Sequence, residues 1–345
     1  MQAAKPRIVD LADRIAADIR RRRLKPGDAY LTTAALAQQF GVGTTVANRA
    51  MQLLVQRRLL ERRQRKGTTI ASKAASTGLR RVHLLVHRHF LQVEGLLADG
   101  VVVGIQGKVP DADIQFNFMP AGGEAAHVVA LVNEALGNPE PEGFVMLRAP
   151  LEAQRALAAS GLPAVLMGTT FPSVRGLASC DRDNRTLGRL LAELLLARGV
   201  RWLGVLMRER MLHGDHLTYD GVQEAAAAAG LKVDAVPVRC LPDDPAEVRA
   251  AVELLVSSRR GKGGLVCRNA VLAEASAGCN ANLDIAVCDV FPRDGHKPAF
   301  PYARATLNPQ EMGSIIGDML ACQAAGRRPD PERVLVPVTV EQPAA

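Results

Sequence analysis

Cysteine is sparse and oddly placed. The 345 residues include six, Cys180, Cys240, Cys267, Cys279, Cys288 and Cys322. None falls in the first half of the chain and none forms a Cys-x-x-Cys pair. Cys267 and Cys288 lie in apolar runs that read as strands, so the expectation is buried thiols in a reducing compartment and no metal site. Aromatics make up 3% of the chain, with a single tryptophan, which leaves few faces for stacking a ring-shaped ligand. No apolar run approaches the length that spans a bilayer. The N-terminus carries charges and no apolar block, so a leader is not expected and a cytoplasmic location is. Nucleophile elbow, Walker loop and His-Glu-x-x-His are missing as well. Neither an enzyme nor a cofactor is expected.

The length suggests two or three domains, and charge divides them. Residues 1–81 hold 18 Lys+Arg against 5 Asp+Glu, a net of +13. The whole chain nets +8, so residues 82–345 carry −5. A basic module on a mildly acidic body points to a polyanion partner for that module.

The basic module contains a legible motif. Residues 33–40 read as a short helix, with Thr33 as N-cap and Leu36, Ala37 and Phe40 on one face. Gly41-Val42-Gly43 breaks it. A second helix follows over 44–57, burying Val46, Ala50, Leu53 and Leu54. Its other side carries Thr44, Thr45, Asn48, Arg49 and Gln52. Two helices around a glycine turn spell helix-turn-helix, whose second helix enters the major groove. Asn, Gln and Arg are the side chains that pair bidentately with base edges. Residues 59–63 and 68–71 then make a hairpin whose turn holds Arg65, Lys66 and Gly67. With Arg62 and Arg63 it is a basic wing placed to meet phosphates. A preceding helix over 7–23 ends in four arginines, which complement its dipole and can also reach phosphate.

This stretch resembles the GntR-type winged helix-turn-helix over about 7–71. Leu24-Lys25-Pro26-Gly27-Asp28, Leu36-Ala37, Gly41-Val42, Ala50-Met51, Leu53-Leu54, Leu59-Leu60 and Gly67-Thr68 carry the resemblance. Thr32-Thr33 stands where the family has Pro-Ser, and Gly43-Thr44 where it has Ser-Arg. The resemblance implies double-stranded DNA as partner, contacted by Thr32, Thr33, Thr44, Thr45, Asn48, Arg49, Gln52, Arg62, Arg63, Arg65, Lys66 and Gly67. It does not imply a base preference.

Residues 72–79 are small and polar, the composition of a short linker. Beyond them strand and helix patterns alternate to 340. The strands include 82–86, 114–118, 144–147, 163–167, 202–207, 233–238, 264–267, 284–288 and 334–340. The helices include 125–136, 151–160, 185–198, 219–229, 246–257 and 309–325. Alternation means βαβ crossovers and parallel sheets. The strands are too many for one sheet, so two α/β lobes are expected, with ligand chemistry at strand C-terminal ends.

Gly143-Phe144-Val145-Met146-Leu147, Leu162-Pro163-Ala164-Val165 and Cys180-Asp181-Arg182-Asp183-Asn184 resemble the LacI-type sensor, of periplasmic-binding-protein fold. So do Asp220-Gly221, Ile285-Ala286-Val287-Cys288-Asp289, Met312-Gly313 and Val334-Leu335-Val336-Pro337. A winged head on such a sensor is the arrangement of the arabinose-repressor class. The resemblance implies an effector-binding and dimerising domain over 80–342. Lobe one would be about 80–180 and 306–325, and lobe two about 181–305 and 326–342. It implies a small-molecule effector in the cleft, a homodimer and a palindromic operator. Asp289 matches a carboxylate that holds ligand hydroxyls, Arg268 or Asn269 a polar pair, and Thr218 replaces a clamping arginine. His87 and His216 follow the first strands of the two lobes, in loops. The expected function is DNA-binding repression that responds to a polar metabolite. The alternatives are a metabolite-binding protein without DNA role and a regulator whose C-terminal domain only dimerises.

Overall fold

The computed structural model describes residues 8–25, 27–56, 59–63, 67–71, 78–87, 100–232, 236–280, 282–289 and 299–343, the side chains of Gln56 and Arg63 excepted. Most of the expected linker, together with Arg65, Lys66 and the Arg63 side chain, lies outside them. Two compact units form. One takes the N-terminal part to Cys180 with Pro309–Arg333; the other takes Asp181–Asn308 with Val334 onward.

The first unit opens with helix α1 (Ile8–Arg21), strand β1 (Ala29–Tyr30), α2 (Thr33–Phe40) and α3 (Thr44–Gln56). The hairpin β2 (Leu60–Arg63) and β3 (Gly67–Ile70) follows, with Arg63 opposite Gly67. β1 adds a third strand on β3, too short to read from the sequence. Leu11, Ile15, Leu36, Ala47, Met51, Leu53, Leu54 and Leu60 are buried together, one apolar stripe from each helix and the wing. The cap of α2 is Thr32, not Thr33: its hydroxyl accepts from the Ala35 N–H at 3.3 Å. Gly41, at φ 64°, closes the helix in the left-handed conformation.

The same unit contains a six-stranded sheet. Its strands are β4 (Arg81–His87), β5 (Asp113–Met119), β6 (Glu142–Leu147), β7 (Ala164–Met167), β8 (Ala178–Arg182) and β14 (Arg333–Val336), in the order β14-β8-β7-β6-β4-β5, and the ends of β8 and β14, from Asp181 and from Val334, already belong to the second unit. Helices α4 (Val101–Lys108), α5 (Glu124–Gly137) and α6 (Leu151–Ser160) connect the strands, and α11 (Pro309–Ala324) returns late in the chain. The α4 segment, which on sequence shows little beyond a glycine pair, has a packing reason. A Cβ on Gly104 would lie 2.1 Å from the Gln310 carbonyl of α11, and one on Gly313 would lie 2.1 Å from that of Val101.

The second unit repeats the plan. β9 (Trp202–Arg208), β10 (Val238–Leu241), β11 (Gly263–Asn269), β12 (Leu283–Asp289), β13 (Tyr302–Ala305) and β15 (Val338–Glu341) run in the order β10-β9-β11-β12-β13-β15. Every pair is parallel except β13 with β15. α7 (Asn184–Ala197) and α8 (His213–Ala228) cover one face, burying Leu203, Val205, Val266 and Ala286. α9 (Pro245–Ser257) and α10 (Ala270–Ser276) cover the other, burying Leu206, Leu265, Cys267 and Val287. Sheets covered on both faces need the unbroken apolar runs seen here. Glycines again set the helix crossing: Cβ atoms on Gly188 and Gly221 would lie 2.0 Å from the carbonyls of Thr218 and Arg185.

Three local expectations change. α8 begins at His213, six residues earlier than its periodicity suggests, because Asp215 caps it. The strand expected over 233–238 runs instead over Val238–Leu241, while 233–235 lie outside the described residues. The single strand expected over 334–340 is two strands in two sheets. Pro337, with no N–H for a ladder, separates them. The last crossing between units accordingly falls between Arg333 and Val334, later than the expected 326–329.

Candidate functional site

The outer face of α3 is built by the periodicity that buries its inner face. Thr44, Thr45 and Arg49 are exposed, while Asn48 and Gln52 are half-buried. Arg62 on the wing strand reaches across and donates to Asn48 Oδ1 at 2.7 Å and Thr33 Oγ1 at 3.1 Å. It thereby ties together three residues of one surface, from the wing, α3 and the start of α2. Thr32 is exposed beside Thr33.

Behind this face the domain is clamped by Asp18, whose side chain is 3% exposed. It accepts from Tyr30 Oη at 3.0 Å and pairs with Arg22 Nε at 2.8 Å and with Arg21. Two of the four clustered arginines are thus structural. Burial would raise the Asp18 carboxyl; the Tyr30 hydroxyl and the two arginines outweigh it and hold it below the ordinary range. Burial and the Asp18 hydrogen bond push the Tyr30 phenol up.

In the second unit, β9 is flanked by β10 on one side and β11 on the other, so the crossovers diverge there. Such a switch point leaves a crevice at the strand C-terminal ends. Arg208 ends β9, Arg268 lies near the end of β11 and Asp289 ends β12. Arg182 and Asp215, from the start of α8, join them.

Asp289, with no exposed side-chain surface, accepts from Arg182 and pairs with Arg268. Arg268 also donates to Asp215. Arg208 stands farther off, 3.5 Å from Asp215 and 3.6 Å from Asp289. Arg182 further donates to the Cys288 carbonyl at 3.1 Å.

Burial would raise the Asp215 carboxyl; Arg268, Arg208 and the Leu212 N–H overcome it and hold it low. For Arg268 burial acts downward, and Asp289 with Asp215 more than reverses it. Asp215 and Arg268 therefore stay charged. Cys267 and Cys288 are buried as expected, and burial pushes the Cys288 thiol up to about 12.

Of the expected ligand residues, Asp289 and Arg268 belong to this cluster. Asn269 lies beside it, capping α10 through the Leu272 N–H at 2.9 Å and donating to Asp243 at 3.2 Å. Thr218 does not face the strand ends. It is fully buried in α8, its hydroxyl donating to the Gly214 carbonyl at 3.0 Å, and its backbone meets α7 at Gly188. His216 is exposed in the first turn of α8 rather than in a loop. His87 ends β4, in the other unit.

Arg208 and Asp215 were not singled out on sequence. An arginine directly after an apolar strand, and an aspartate three residues into a helix, were the available signals.

The fold comprises a winged helix-turn-helix module followed by a two-lobed α/β domain with the fold found in LacI-family regulators. Residues 8–70 match the family described as bacterial regulatory proteins, gntR family. The mannosyl-D-glycerate transport/metabolism system repressor MngR of Escherichia coli K12 is 42% identical over 66 residues. That match covers 19% of this chain and 28% of that protein, so the chain matches under a third of the relative's length. Among solved structures, the probable maltose operon transcriptional repressor MalR of Staphylococcus aureus superposes with a TM-score of 0.64 at 12% identity, over 77% of this chain and 97% of that one. A transcriptional regulator CelR–cellobiose complex superposes at 0.61 and 16% identity, over 91% of this chain and 99% of that one. The N-terminal domain is of the GntR helix-turn-helix type, and the remainder has the LacI-type fold.

Proposed function

We propose that this protein is a cytoplasmic transcriptional repressor. Its winged domain binds a palindromic operator as a homodimer, and its α/β domain takes a small polar effector of the sugar or sugar-derivative class. It performs no catalysis in this reading, and the pairing of head and sensor is arabinose-repressor-like. The observation that carries the proposal is the joint surface of Asn48, Arg62 and Thr33 beside exposed Thr44, Thr45 and Arg49. It sits on a domain that matches the gntR family.

A head of this size reads a few base pairs, so two heads on half-sites about 10 base pairs apart, or a multiple, supply useful specificity. An effector acts by preferring one arrangement of the α/β domain, with coupling of typically about 1–3 kcal/mol. The relatives named as repressors and the cellobiose complex support this reading.

The test is a gel shift on the DNA upstream of the gene with the parent, Asn48→Ala and Arg49→Ala. Each lost bidentate contact should cost about 1–3 kcal/mol. Parent-like binding by both variants would reject the recognition-helix assignment. A second reading, in which the α/β domain only dimerises, draws on the complete burial of Asp289 within ion pairs.

A further inference from the structure

We propose that Asn48 reads guanine in the major groove rather than adenine, because Arg62 occupies its carbonyl oxygen. The inference rests on the recognition-helix reading above and gives that helix a base preference. Asn48 lies one turn from Thr44 and one turn from Gln52 on the outer side of α3. Arg62 Nη1 donates to its Oδ1 at 2.7 Å. A guanidinium has donors and no acceptor, so the end of the amide that it meets is the carbonyl. The amino end, with two N–H donors, is what Asn48 then presents to a base.

The guanidinium is held in that place by more than Asn48. Its Nη2 donates to Thr33 Oγ1 at 3.1 Å, and the Thr33 hydroxyl in turn donates to the sulfur of Met51 at 3.6 Å. Met51 is fully buried in the core of the head. Arg62 itself stands opposite Thr68 in the hairpin ladder, and Thr68 is buried. The fork therefore joins β2, α2 and α3, and its bond to Asn48 is of the short, charge-assisted kind.

The base edges follow from this. Adenine shows the major groove an N7 acceptor and an N6 amino donor, and an asparagine matches the two only with its amino and carbonyl groups together. The Asn48 carbonyl keeps a second lone pair, but an adenine amino group using it would come up beside the guanidinium, donor against donor. Guanine shows two acceptors, N7 and O6. A group that only donates finds both there, and the positive charge of Arg62 favours the same edge. Arg62 is then a positioning residue, which sets the base through Asn48.

The experiment is selection from a library of randomised DNA duplexes by the full-length parent, Asn48→Ala and Arg62→Ala, followed by competition gel shifts on the selected duplexes. The position at which Asn48→Ala loses its preference is the one that Asn48 reads. There the parent should take guanine over adenine by about tenfold. Arg62→Ala, with the carbonyl released, should take adenine, the ordinary bidentate partner of an asparagine. Loss of a merely structural bond would blur the preference and not exchange one base for another. Parent-like circular dichroism and affinity for random duplex DNA show that Arg62→Ala is folded.

A parent that selects any base but guanine at that position would overturn the assignment, and this result needs no variant of Arg62. A folded Arg62→Ala that still selects guanine would overturn the part given to Arg62. An Asn48→Ala that selects the parent's sequence would remove Asn48 from the base contacts and the inference with it. Failure of the parent to enrich any sequence would sink the DNA-reading function itself.

Discussion

Replacing Asp289 by alanine withdraws a fully buried charge of the second unit. Its carboxylate pairs with Arg182 and Arg268 and lies 3.6 Å from Arg208. Without it, Arg268 and Arg208 keep Asp215 while Arg182 loses its paired carboxylate, and the excess formal charge of the set rises from one to two. At an effective dielectric of about 20, each close pair is worth about 4 kcal/mol. Desolvation of the ions offsets much of this, so removal of one buried partner costs about 3–5 kcal/mol. That is a large part of a domain's usual stability of about 5–15 kcal/mol.

The chain offers a clean reporter. Trp202, its one tryptophan, begins β9 and is buried in the same unit. Urea unfolding followed by tryptophan fluorescence therefore reads the second unit. With a slope of about 1–3 kcal/mol per molar urea, the midpoint of Asp289→Ala should fall by about 2 M. Asp289→Asn, which keeps the shape and one acceptor, should fall less. A shift under about 0.5 M for the alanine variant, at unchanged slope, would refute the claim that this carboxylate holds the cluster together.

Acid should act through the lowered carboxyls of Asp18 and Asp215. Their folded values lie below the unfolded value of about 3.9, so the stability they contribute is complete above about pH 5 and drains as pH falls through the folded values. An acid titration by circular dichroism in which Asp18→Asn unfolds with the parent's pH profile would count against this. Arg62→Ala should release Asn48 and Thr33 and so lower the preference for operator over random DNA about tenfold, with an unchanged salt slope. A slope flatter by about 0.9 would instead make Arg62 a phosphate contact. Gly188→Ala places a methyl 2.0 Å from the Thr218 carbonyl and should cost about 1–3 kcal/mol by forcing α7 and α8 apart. A Trp202 transition at the parent's midpoint would refute the close crossing.

Local signals carried much of this molecule. Leu36 and Ala37 on one helix, Ala50, Leu53 and Leu54 on the next and the glycine turn between them were enough to place the winged head. Helical spacing and capping act over a few residues and need no distant partner. Alternating strands and helices likewise announced two parallel-sheet lobes, because a crossover helix is what joins parallel strands. What the chain order could not express was convergence. Asp289 read as a ligand holder through its resemblance to the strand-end carboxylate of LacI-type sensors; only the folded lobe brings Arg182 and Arg268 onto it. Thr218 read as a site residue by position in a pattern; it lies inside α8, where its hydroxyl donates to the Gly214 carbonyl of the same helix and its backbone meets Gly188. Arg62 read as a wing cation, and its bonds to Asn48 and Thr33 cross 14 and 29 residues. Which charges meet, and which of them still face solvent, is decided by strand order and helix registry, and those are set by the packing of the whole lobe.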